Sequence, residues 1–137
     1  MQQKHTILVI DDDRLELDIM TNVLSTAGFR VLVAEDGEIG VIRAIFSRPD
    51  LILLDVMMPG INGYETCERL RENKRTKDIP IFFKTCKSDE QSTIEGYRKG
   101  ADRYITKPCK HDELLYLITS QLASTQSDHL QTHLQVF

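Results

Sequence analysis

The sequence predicts an α/β fold, a doubly wound five-stranded parallel sheet with helices on both faces, and three observations carry that reading. Short β-branched runs alternate five times with longer amphipathic ones, the pattern of parallel strands joined by crossover helices. The run Leu51 to Leu54 is apolar at every position; that requires burial on both faces, because a one-sided strand would alternate. The chain has 137 residues, 41% of them hydrophobic, enough for one real core and too few for two.

Taken in order, Thr6 to Ile10 reads as the first strand. Asp13 with Glu16 then occupies the N-cap and N3 positions of a capping box and starts the first helix. Gly28 follows that helical pattern where a left-handed helix end needs a residue without a Cβ, and Phe29 to Val33 is the second strand. Leu51 to Leu54 is the third and central strand, after which Asn62 with Glu65 starts another helix. Ile81 to Phe83 is the fourth strand, followed by a helix starting at Ser88 with Gln91 and closing at Gly100. Arg103 to Thr106 is the fifth. In the last helix Leu114, Leu117, Ile118 and Leu122 fall on one face, at the spacing that docks a helix on a sheet. Residues 124–137, rich in Ser, Gln, Thr and His, read as a polar tail or linker, which leaves 1–123 as the folded domain.

Seventeen basic against twenty-one acidic residues, a net charge of -4, give no electrostatic footprint for nucleic acid, so direct DNA binding is disfavoured. No apolar run approaches the roughly 20 residues of a membrane span, and the first ten residues lack the apolar core of a signal peptide, so a cytoplasmic protein is expected. The three cysteines, Cys67, Cys86 and Cys109, form no CxxC pair and read as reduced thiols.

In open parallel sheets ligands bind outside the carboxyl ends of the strands. The first strand ends in Asp11, Asp12 and Asp13, the third in Asp55, the fourth in Thr85, and the fifth runs into Lys107-Pro108. Carboxylates from two adjacent strands cannot all ionise a few Å apart without a cation. An oxygen-only ligand set implies a hard divalent ion, and Mg²⁺ fits best. With a lysine and a hydroxyl facing it, such a site suits phosphoryl acceptance, and Asp55, alone at the end of the central strand, is the candidate nucleophile.

The runs Ile7 to Asp13 and Asp50 to Gly60 with Gly63, then Thr85, then Lys107-Pro108 together resemble the receiver domain of two-component response regulators, of the chemotaxis-regulator kind, over about residues 5–123. The resemblance implies a flavodoxin-like (βα)5 receiver fold with strand order 2-1-3-4-5. It implies that Asp11 and Asp12 bind Mg²⁺ together with Asp55 and the backbone carbonyl of Met57, and that Asp55 is the phosphoacceptor. Thr85 matches the switch hydroxyl that follows the phosphate, Lys107 the lysine that pairs with it, and Tyr104 the aromatic that swings inward on activation. The implied partners are a sensor histidine kinase or phosphotransfer protein upstream, and an effector protein or a second copy on the face made by the fourth helix, fifth strand and fifth helix. Neither nucleic acid nor membrane is an expected partner. The implied role is a signalling switch, a single-domain response regulator, whose only catalysis is its own phosphorylation and dephosphorylation.

Two residues depart from the family pattern. Lys84 stands where an apolar residue is usual, so either its stem snorkels along the sheet or it adds a second positive charge near the site. Cys86 stands where alanine is common and could narrow access to the phosphate. Met57 and Lys87 occupy positions that tune hydrolysis in the family.

Plainer readings stand beside these. Asp13 is a helix cap rather than a ligand. Thr85, Lys107 and Tyr104, each taken singly, are an ordinary strand-end threonine, a surface lysine and a packed aromatic; only the shared edge and the family match lift them. Cys86 and Cys109 are inert thiols before they are a redox pair. His129 and His133 lie at i, i+4 spacing without a third ligand and do not read as a metal site. Rival functions are a receiver cut from, or leading into, a larger effector or hybrid kinase, a degenerate receiver used as a scaffold, and a small haloacid-dehalogenase-like phosphohydrolase. The last is suggested by D-x-D at Asp11 to Asp13, but that family's pattern wants Thr or Val at the position of Leu15, and the length leaves little room for its cap.

Overall fold

The computed structural model describes residues 4–135, with side chains through Thr125. Five βα units follow one another: β1 (Thr6–Ile10), α1 (Arg14–Thr26), β2 (Arg30–Ala34), α2 (Gly37–Ser47), β3 (Leu51–Leu54), α3 (Gly63–Glu72), β4 (Ile81–Thr85), α4 (Glu90–Arg98), β5 (Arg103–Thr106) and α5 (His111–Gln135). All strand pairs are parallel and the order is β2-β1-β3-β4-β5. The chain direction reverses its walk across the sheet between β1 and β3, which opens a crevice at the carboxyl ends of those two strands.

Successive strand residues point to opposite faces, and the core divides accordingly. Ile7, Val9, Leu51, Leu53 and Phe82 pack under Leu17, Met20 and Leu24 of α1 and Leu114, Ile118 and Leu122 of α5. Leu8, Ile10, Ile52, Leu54, Ile81 and Phe83 meet Ala44 of α2 and Cys67 and Leu70 of α3 on the other face. Each such aliphatic side chain contributes about 1.5–3 kcal/mol by leaving water, so the two layers hold the strand ends rigidly in register. Burial of β3 at every position agrees with its central place.

The structure departs from the sequence reading in five places. Strand β2 begins at Arg30 rather than Phe29, because the Phe29 N–H donates to Leu24 O at the end of α1 and sheet pairing starts with Arg30 N on His5 O. Strand β4 runs on through Lys84 and Thr85, which pair with Ile105 and Thr106; the charge at Lys84 hid the continuation. Helix α4 is capped by Asp89, not Ser88, since the Asp89 carboxylate accepts from both Ser92 N (3.0 Å) and Ser92 Oγ (2.7 Å). Asp13 does cap α1, accepting from Leu15 N, but no reciprocal bond forms with Glu16, whose carboxylate is engaged elsewhere. Finally, the polar residues after 123 continue α5 to Gln135; the side chains of His129 and His133 lie outside the described residues. The Asn62–Glu65 capping box is complete, and Gly28 and Gly100 end their helices with φ of 100° and 110°.

Candidate functional site

The carboxyl ends of β1, β3, β4 and β5 deliver every residue singled out at this edge. Asp11 is still tied to the sheet by its N–H on Ala34 O, and Asp55 by its N–H on Ile10 O, both at 3.1 Å. The two backbones are thus fixed by ladder bonds rather than by a mobile loop. Asp11 is buried, Asp55 half-buried and Asp12 exposed, and one carboxylate oxygen from each lies within 4.8 Å of the others. The oxygen-only donor set at that separation fits a hard divalent cation, and a buried member of it is short of solvent that could screen the repulsion. Met57 follows in the loop after β3, exposed, with its N–H donated to Asp55 Oδ1 at 3.3 Å.

Burial is the main reason Asp11 has its pKa raised above the ordinary carboxylate value; the Asp13 N–H on its Oδ1 lowers it, the Asp55 and Glu16 carboxylates raise it, and Lys107 lowers it. Lys107, which precedes a cis Lys107–Pro108 bond, reaches across from β5. Its Nζ stands 3.5 Å from Asp11 Oδ2, 3.9 Å from Asp55 Oδ2 and 3.9 Å from Glu16 Oε1. Burial pulls the Lys107 pKa down, but the attraction of those three carboxylates outweighs it and the net shift is upward, so the amine stays charged.

Thr85 is fully buried at the end of β4, and its Oγ1 accepts from Lys87 N at 3.3 Å. Tyr104, on β5, lies inward with its ring 5.8 Å from that of Phe83, and its hydroxyl donates to Lys87 O at 2.7 Å. The close packing needs Gly96 in α4, where a Cβ would fall 2.6 Å from the Tyr104 ring. Burial, with Tyr64 alongside, pushes the phenol pKa well above its usual value, so Tyr104 remains a donor.

Lys84 resolves the choice left open by the sequence. Its side chain is 9% exposed and its Nζ lies 2.7 Å from Glu16 Oε1, so the ammonium does not snorkel to solvent; it adds positive charge inside the cleft. Glu16 is the functional-site neighbour that sequence reasoning missed, having been assigned only to a helix cap. The available signal was Lys84 itself, because a lysine in a buried strand requires a carboxylate partner. The three cysteines are free thiols; Cys86 is exposed, and burial pushes Cys67 up to about 11. Among the described residues no helix is long and apolar enough to cross a membrane.

Comparison with known proteins agrees with this geometry. The response regulator receiver domain family matches residues 7–119. Protein PilH of Pseudomonas aeruginosa is 38% identical over 117 residues, which cover 85% of this chain and 97% of PilH. The DNA-binding dual master transcriptional regulator RpaA of Synechocystis sp. is 41% identical over 119 residues, 87% of this chain but 49% of RpaA, so the chain spans about half the length of that relative. A putative response regulator from Chloroflexus aurantiacus superposes with a TM-score of 0.84 at 36% identity, covering 88% of this chain and 99% of that one. The strand order, the acidic edge and these matches agree: the chain belongs to the response regulator receiver domain family.

Proposed function

We propose that this protein is a phosphoacceptor receiver in which Asp55 takes a phosphoryl group from a sensor histidine kinase or a phosphotransfer protein. The observation that carries the reading is the placement of Asp55 at the end of the central strand, in one cleft with Asp11, Asp12 and the charged Lys107.

Asp11, Asp12 and Asp55, with the Met57 carbonyl, would hold Mg²⁺, which when bound offsets the negative charge of the carboxylates and of the incoming phosphoryl oxygens. An Asp55 carboxylate oxygen bonds to phosphorus while the donor's P–N bond breaks and its electron pair leaves with the imidazole, giving an acyl phosphate. The Lys107 ammonium pairs with a phosphoryl oxygen, and the Thr85 hydroxyl donates to another. Thr85 and Tyr104 then bias the loop between β4 and α4, so that a partner preferring one state of the α4-β5-α5 face shifts the population. That partner is an effector protein or a second copy, not nucleic acid or membrane, and the exchange takes place in the cytoplasm. The protein acts as a switch through residues 1–123, as a single-domain response regulator; the half-length match to RpaA favours, as a second reading, a receiver belonging to a larger regulator.

Intact-mass spectrometry after incubation with acetyl phosphate tests the proposal. One Mg²⁺-dependent phosphoryl gain is expected for the parent and none for Asp55→Asn. A gain that persists in Asp55→Asn would overturn it.

A further inference from the structure

Two charged groups in the cleft have no part in the chemistry above. Glu16, in the first turn of α1, and Lys84, on β4 beside Thr85, are 68 residues apart and meet at 2.7 Å with side-chain exposures of 20% and 9%. They border the same cleft as Asp11, Asp55 and Lys107, above an apolar floor. Glu16 uses the same oxygen, Oε1, to face both lysines, 2.7 Å from Lys84 and 3.9 Å from Lys107.

That geometry sets up a competition. Lys107 has three carboxylates within 4 Å, and only two of them, Asp11 and Asp55, belong to the proposed phosphoryl site. Were Glu16 unpaired, its half-buried charge would draw Lys107 toward α1 and away from Asp55, since removing one partner of a buried ion pair leaves a charge that must find another. Lys84 occupies Glu16 at hydrogen-bond distance and leaves Lys107 with Asp11 and Asp55. In a site of low dielectric the pair also keeps the total charge seen by a cation constant, because it adds one negative and one positive group.

We propose that Glu16 and Lys84 are a pair of positioning residues, by which the Glu16–Lys84 contact holds Lys107 on the Asp11–Asp55 side and sets the charge balance of the acidic cleft. The inference rests on the reading of that cleft as a cation and phosphoryl site. Its consequence is that the two single substitutions act in opposite directions on cation binding, which loss of packing does not do.

The test compares parent, Lys84→Met, Glu16→Gln and the double variant by Mg²⁺ calorimetry, by the rate of phosphoryl gain from acetyl phosphate, and by crystal structures. Lys84→Met should tighten Mg²⁺ by about fivefold and slow phosphoryl gain, because Lys107 has gone to Glu16. Glu16→Gln should weaken Mg²⁺ by about fivefold, through the excess positive charge. The double variant should return to within about twofold of the parent, its net charge being restored. In the Lys84→Met crystal, Lys107 Nζ should sit in hydrogen-bond contact with Glu16 and outside ion-pair distance of Asp55. Single variants that shift Mg²⁺ in the same direction or not at all, a double variant whose Mg²⁺ affinity stays about fivefold or more from the parent's, or Lys107 unmoved in Lys84→Met would overturn the proposal. Should Lys84→Met not fold, Glu16→Gln decides alone, with unchanged Mg²⁺ affinity counting against. A parent that binds Mg²⁺ but accepts no phosphoryl group contradicts the phosphoacceptor reading and leaves the charge comparison to decide this one. If the parent binds no Mg²⁺, the position of Lys107 in Lys84→Met decides it.

Discussion

Thr85 and Tyr104 hold the same residue from its two sides: Thr85 Oγ1 accepts the Lys87 N–H, and the Tyr104 hydroxyl donates to the Lys87 carbonyl. One residue of the β4–α4 loop is therefore clamped between the end of β4 and the ring on β5. Removing the phenol oxygen frees one side. Tyr104→Phe should raise amide hydrogen exchange across residues 86–89 by about five- to tenfold, the worth of one hydrogen bond of about 1 kcal/mol, with exchange in β1 and β3 unchanged. Exchange equal to the parent throughout would show that the clamp does not hold the loop.

Gly96 makes room for that ring. Alanine there would gain helix propensity in α4, roughly 1 kcal/mol, but its Cβ would meet Tyr104 Cδ2 at 2.6 Å and Phe83 Cδ2 at 3.3 Å. Overpacking at such distances costs about 1–3 kcal/mol, and the Tyr104 hydroxyl bond resists the shift. Gly96→Ala should therefore lower stability in urea by about 1 kcal/mol net and turn the ring outward. A stabilised variant would show that the ring yields freely.

The raised pKa of Asp11 has a pH consequence. A carboxyl whose pKa is higher in the folded state than in the unfolded one costs stability above that folded value, and the cost is relieved as pH falls through it. Asp11→Asn keeps an acceptor for the Asp13 N–H while removing the buried charge, so without divalent cation it should raise Tm at pH 7. That gain should shrink as pH is lowered through the folded pKa. In the parent, Mg²⁺ affinity should fall over the same window, at higher pH than an ordinary carboxylate would give. Calorimetry at a series of pH values checks both, and a lower Tm for Asp11→Asn at pH 7 contradicts the account.

The complete capping box at the start of α3 fixes the loop that follows Asp55. Glu65 N donates to Asn62 Oδ1 at 2.9 Å and Asn62 N to Glu65 Oε1 at 3.4 Å. Asn62→Ala should cost about 1 kcal/mol in urea unfolding, and a change below about 0.3 kcal/mol would mean that backbone bonds alone start the helix.

Much of this architecture is legible in local sequence. The unbroken run of Leu51 to Leu54 marks the central strand, and the residues at the strand ends mark the site, because both depend on patterns a few residues long. What escapes is set by contacts across the fold. Glu16 looked like half of a capping box, and only its meeting with Lys84 on β4 shows why the box does not close. The same lysine cut the fourth strand short in the sequence reading, since a charge in a buried strand is intelligible only once its partner is known. Asp89 displaced Ser88 as a cap by one residue, a choice between two capable acceptors that depends on how the β4–α4 loop is held.

The central claim is that Asp55, and no other carboxylate of the acidic edge, receives the phosphoryl group. Treating the acetyl phosphate-labelled protein with borohydride reduces an aspartyl phosphate to homoserine, and peptide mapping then locates it. The account predicts homoserine at position 55 alone, dependent on Mg²⁺ during labelling; homoserine at Asp11, Asp12 or Asp13, or at none of the four under conditions that add a phosphoryl group to the chain, would contradict it.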